Sequence, residues 1–99
     1  MKKIFSYEDA AALLPEVQRL TAAAVDEVEA LASDTSREEA QRIVATWAES
    51  IMKLGIEVKG LWLIDFDNGS GYYCWQWPEE SLQYFHGYED GFGGRVKLQ

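Results

Sequence analysis

The chain is poor in the residues that most often carry chemistry: it has one cysteine, Cys74, one histidine, His86, two prolines and two methionines. One thiol excludes an internal disulfide and a multi-cysteine metal cage. Positive charge is also scarce, with nine Lys and Arg against seventeen Asp and Glu, a formal net charge of −8. Such a surface repels phosphate backbones and anionic lipid, so neither nucleic acid nor a membrane surface is an expected partner. No apolar run reaches signal-peptide or transmembrane length, and the expectation is a cytoplasmic protein.

Aromatic residues are abundant, at 13% of 99 residues, within a hydrophobic fraction of 47%. A chain this short forms one domain, here residues 1–99, with a thin core that large side chains must fill. Ser6 with Asp9 reads as a helix start, and Phe5 can staple onto Ala10. Leu13, Val17, Leu20, Ala24, Val28 and Leu31 then recur at steps of three and four, one apolar stripe. Pro15 interrupts it and predicts either a kink or a restart of the helix there. After a loop at 33–36, Ser36 with Glu39 opens a second helix. Its stripe is Ala40, Ile43, Val44, Trp47, Ile51 and Leu54, and Gly55 stops it. So short a loop makes residues 6–54 an antiparallel helical hairpin.

Residues 56–99 hold the sheet and a C-terminal turn. The run 56–66 is extended, with Gly60 either splitting it or marking a bulge. Asn68-Gly69 predicts a two-residue reversal pairing Asp67 with Ser70 and Leu63 with Cys74. One face then carries Leu61, Leu63, Asp65, Tyr72, Cys74 and Gln76. The other carries Trp62, Ile64, Phe66, Tyr73, Trp75 and Trp77, and this more apolar face should cover the helices. A third strand is predicted at 81–86. If Tyr84 stands opposite Cys74, His86 joins the face of Asp65; a one-residue slip reverses that. The expected fold is α+β, a helical hairpin packed on a three-stranded antiparallel sheet.

Several marks are shared with a known family: Phe5-Ser6 with Glu8 and Ala10, Leu13-Leu14-Pro15, Gly55, Lys59, Ile64-Asp65-Phe66, Cys74-Trp75, Tyr84, His86, Gly91-Phe92 and Gly94-Arg95. In these the sequence resembles an uncharacterised bacterial family of small proteins, a domain of unknown function. It departs from that pattern at Trp62, where the family tends to have Gly, at Asp67, where Pro is usual, and at Pro78, which replaces a Gly. The resemblance implies a fold and names no substrate.

Candidate chemistry gathers at Asp65, Cys74 and His86. A thiol beside an imidazole can act as nucleophile and base, with Asp65 orienting the ring. Against this, a mid-strand Cys flanked by Tyr73 and Trp75 is a small buried hydrophobe. Cys74, His86 and Asp65, with Glu89 or Asp90, are ligand types suited to zinc, but no two have a diagnostic spacing, and neither a metal nor a cofactor is expected. Arg95, with Gly94 and Trp75 beside it, is the candidate for holding a small anionic ligand. The plainer alternative pairs Arg95 with Asp65, Glu89 or Asp90. The leading expectation is a non-enzymatic interaction module that self-associates as a homo-oligomer; the alternative is a small enzyme or anion-binding protein using Asp65, His86 and Arg95.

Overall fold

The computed structural model describes residues 3–32 and 36–98. Helix α1 spans Tyr7–Glu29 and α2 spans Ser36–Lys53. Five strands follow: β1 Glu57–Gly60, β2 Leu63–Asp67, β3 Tyr72–Gln76, β4 Tyr84–His86 and β5 Val96–Lys97. They form one antiparallel sheet in chain order. The fold is α+β, with five strands in place of the three expected. Gly60 accounts for one extra strand: the ladder shifts between Val58 and Gly60, and the chain turns through Leu61 and Trp62. The other, β5, is two residues long, too short for alternation to reveal it. No helix among the described residues is long and apolar enough to cross a membrane.

The first helix starts where its cap predicts. Ser6 Oγ accepts from the Asp9 N–H at 3.0 Å, and Asp9 Oδ2 accepts from the Ser6 N–H at 3.4 Å. Phe5, just before it, is buried with Ala10 in the core and meets Phe66 edge to face at 5.2 Å, while its N–H donates to the Asp67 carbonyl at 2.7 Å. The restart at Pro15 does not occur. The capped first turns bury Ala10 and Leu14, and exposed Pro15 lies within one continuous helix. The loop at 33–35 and the Ser36 side chain of the second expected cap lie outside what is described. Gly55 ends the hairpin at φ 85°, a conformation glycine adopts without strain.

The buried stripe of α1 is rotated by about one residue from the expected one: Ala10, Leu14, Val17, Thr21, Ala24 and Val25 face inward. Thr21 is there because its hydroxyl is fully employed. It donates to the Val17 carbonyl at 2.7 Å and accepts from Trp47 Nε1 at 2.8 Å, which ties α1 to α2 inside the core. Thr21→Val preserves shape but strands the indole N–H, and it should lower stability by about 1–3 kcal/mol in urea unfolding, with Thr21→Ser losing less. Equal losses in the two variants would mean that the hydroxyl contributes nothing.

The sheet's faces are those expected, although the reversal lies elsewhere. Asp67 pairs with Tyr72 and Asp65 with Cys74. The turn is at Gly69-Ser70, closed by the Asn68 N–H donating to the Gly71 carbonyl at 2.9 Å, with Gly69 at φ 94°. Side chains set this position: Asp67 Oδ1 accepts from the Gly69 N–H and Asn68 Oδ1 from the Ser70 N–H, both at 2.9 Å. The register differs by two residues from the expected one, so every side chain keeps its face. Gly71 follows because nothing larger fits: a Cβ there would lie 2.5 Å from Phe85 Cζ and 2.7 Å from the His86 carbonyl oxygen.

Ile64, Phe66 and Trp75 are buried against the helices with Val17, Trp47 and Ile51, and Trp62, Tyr73 and Trp77 pack alongside. Trp62 has φ 57°, the left-handed region that favours glycine, and its ring meets Trp47 edge to face at 4.9 Å. Trp62 therefore holds a partly buried indole against the core from a backbone position that favours glycine.

Candidate functional site

The opposite face of the sheet is covered by the C-terminal segment, and ionisable groups converge beneath it. Cross-strand pairing sets Asp65 on β2 beside Cys74 on β3. The third strand places Tyr84 opposite Cys74 and His86 opposite Tyr72, which brings His86 onto the same face. Asp65 is 2% exposed, Cys74 0% and His86 4%, depths at which ionisable groups need partners. Asp65 and His86 open onto a cavity of about 300 Å³, whose other walls are Lys59, Leu63, Tyr72, Tyr88, Gly91 and Phe92.

Hydrogen bonding fixes the imidazole. His86 Nδ1 lies 2.8 Å from the Gly87 carbonyl oxygen, which can only accept, so Nδ1 carries a proton. Nε2 lies 3.0 Å from Asp65 Oδ2, and one proton therefore bridges these two atoms. Asp65 Oδ1 is buried and has no hydrogen-bond partner among the described residues. Burial pushes the Asp65 carboxyl above its usual range, opposed by the His86 charge and by Cys74 and Lys59. Burial likewise pushes the Cys74 thiol up to about 12, reinforced by the Asp65 charge and only partly offset by Arg95. With no metal bound, such a thiol stays protonated at neutral pH and is not an activated nucleophile.

The wall residues are themselves tied down. Lys59 Nζ lies 2.9 Å from Glu57 Oε1 and 4.5 Å from the centre of the Tyr72 ring. Tyr72 donates its hydroxyl to Glu57 Oε1 at 3.1 Å, and Tyr88 donates to Asp67 Oδ1 at 2.7 Å while meeting Tyr72 edge to face at 5.1 Å.

Of the residues singled out from the sequence, Asp65, Cys74 and His86 come together; Arg95, Gly94 and Trp75 do not join them around the cavity. Arg95 pairs with Glu79 at 2.8 Å, not with Asp65, Glu89 or Asp90, and its guanidinium lies between the rings of Tyr84 and Phe92, at 3.8 and 4.1 Å from their centres. Glu79 is available because the turn at Trp77-Pro78 brings it back, where its side chain also accepts from the Gln76 N–H at 2.9 Å. Gly94 is in the exposed 3₁₀ turn Phe92–Gly94. Trp75 is fully buried on the helix side, its Nε1 donating to the Glu79 carbonyl at 2.8 Å. Glu89 is exposed, and Asp90 accepts from the Gly87 N–H at 3.1 Å. Alternation placed Leu63 and Tyr72 on this face, as found. Lys59, Tyr88 and Phe92 were not anticipated as walls; they depend on the path of the C-terminal segment and on the bulge at Gly60.

The model of an uncharacterised conserved protein family, DUF2203, matches residues 27–98. No curated protein and no solved structure matches the chain. The chain belongs to the DUF2203 family.

Proposed function

We propose that this DUF2203 member is a small binding protein whose ligand seats in the cavity over Asp65 and His86. The carrying observation is Asp65 Oδ1, an acceptor without a hydrogen-bond partner among the described residues, on a carboxylate whose other oxygen faces His86. A buried carboxylate oxygen in that state destabilises the fold by itself and calls for a ligand that brings a donor or a positive charge. Binding is favoured over nucleophilic turnover because the Cys74 thiol is held protonated. The anion-binding reading has less support, since Arg95 is engaged by Glu79. The self-associating module would draw on Met52, Leu61 and Val96, each more than half exposed; these lie on α2, the β1–β2 turn and β5, which favours the cavity over a single apolar contact patch.

The competing role for Asp65 and His86 is a structural tie between β2 and β4, and stability separates the two. Asp65→Val alone strands the imidazole and should cost about 3–5 kcal/mol in urea unfolding. The double variant Asp65→Val with His86→Leu should be at least as stable as the parent, because buried ion pairs replaced by apolar residues are commonly neutral or stabilising. A double variant that loses as much as the single one makes the pair a structural tie and ends the binding reading.

A further inference from the structure

The side chains of Asp65, Cys74 and His86 come from three adjacent strands, and their donor atoms all lie within 4.8 Å of one another. Resting on the reading of this cavity as a binding site, we propose that these three residues bind one divalent transition-metal ion of the zinc class, with a fourth coordination position facing the cavity.

The donor set suits such an ion. A thiolate, an imidazole nitrogen and a carboxylate oxygen are zinc ligands, whereas magnesium and calcium select oxygen alone. Zinc bond lengths of about 2.0–2.3 Å in a tetrahedral site set donor separations of roughly 3.3–3.8 Å. His86 Nε2 and Asp65 Oδ2 are already 3.0 Å apart, so they need to spread slightly, and the 4.8 Å limit on every other separation leaves about an ångström of adjustment at most. The imidazole is already oriented as a ligand. Its Nδ1–H is held by the Gly87 carbonyl, the outer contact that fixes metal-bound histidines, and Nε2 is the nitrogen facing the Asp65 carboxylate. Asp65 Oδ1 adds the second, independent observation: a buried carboxylate oxygen with no partner among the described residues, beside that imidazole.

Charge also closes. A dication balances the Asp65 carboxylate and a Cys74 thiolate, replacing the proton between Nε2 and Oδ2 and the proton on sulfur. The two cations nearest the cluster are already paired elsewhere, Lys59 with Glu57 at 2.9 Å and Arg95 with Glu79 at 2.8 Å. Three protein ligands beneath an open cavity match the arrangement in which zinc keeps one position for water or a small ligand.

Cobalt(II) is the probe, because it adopts zinc geometry and its bond to a thiolate absorbs in the near ultraviolet. The full chain without a histidine tag, stripped with a chelator, is titrated with Co²⁺. The expected result is a thiolate-to-cobalt charge-transfer band together with intense visible bands of four-coordinate metal, both saturating at one equivalent and abolished by Zn²⁺. Cys74→Ser should remove the charge-transfer band, and Asp65→Asn should weaken binding at least about tenfold. The parent spectrum decides even where a variant fails to fold: a featureless spectrum, or metal uptake with no thiolate band, overturns the site. Uptake unchanged in Cys74→Ser and Asp65→Asn also overturns it, by placing the metal elsewhere. A featureless spectrum alongside a stable Asp65→Val, His86→Leu double variant removes the metal and leaves the cavity reading standing.

Discussion

Trp75→Ala should lower the stability of the protein by about 3–5 kcal/mol, the loss that follows truncation of a fully buried aromatic residue. A domain of this size holds about 5–15 kcal/mol in total, so a large share of the folding free energy would go. The indole is 0% exposed, belongs to the cluster between sheet and helices, and meets Trp77 at 6.5 Å. It also ties the core to the turn after β3, since Nε1 donates to the carbonyl of Glu79, the residue whose carboxylate holds Arg95. Urea unfolding should therefore show a lower midpoint, and Trp75→Phe, which keeps an aromatic ring but loses the N–H and part of the volume, an intermediate one. A loss below about 1 kcal/mol for the alanine variant would show that the ring is not core.

Gly71→Ala should cost about 1–3 kcal/mol, as overpacking of a closed site does. The added methyl meets the Phe85 ring and, less yieldingly, the His86 carbonyl oxygen at 2.7 Å, so β3 must move away from β4 beside the imidazole. The control is Gly93→Ala, where a Cβ meets nothing within 4 Å and the change should be small. Unfolding midpoints of the two variants, with the His86 ring resonances followed by NMR, check both parts. Equal midpoints and unshifted His86 signals in Gly71→Ala would mean that β3 and β4 are looser than described.

Much of this architecture is written in the sequence by period and punctuation. Alternation over 63–67 and 72–76 put Asp65 with Cys74 on one side and the tryptophans on the other. That result survived a turn placed at the wrong pair of residues, because the error in register was two and not one. His86 was conditional on Tyr84 standing opposite Cys74, and that pairing is the one found. The direct Asp65–Cys74 pair was missed for the same reason the turn was: side-chain acceptors on Asp67 and Asn68, not the Asn-Gly dipeptide, fix the reversal. The cavity walls other than Leu63 and Tyr72, and the Glu79 partner of Arg95, were not legible. They depend on how the segment after His86 crosses the sheet and how the chain turns at Pro78, and neither follows from periodicity. On α1 the hydrophobic stripe passed over Thr21, whose hydroxyl is buried because Trp47 needs an acceptor.

The sheet is thus lined differently on its two sides. Behind it lies a layer of aliphatic chains and indole rings; in front, a short return of backbone is fastened by the Tyr88 hydroxyl on Asp67 and the Arg95 guanidinium on Glu79. Forces of the first kind respond mainly to temperature and chaotropes, and those of the second depend on the geometry of each polar contact. The front contacts are withdrawn from solvent, Arg95 and Glu79 being 13% and 21% exposed and Asp67 2%, so added electrolyte should weaken them little and the chamber should keep its cover in salt.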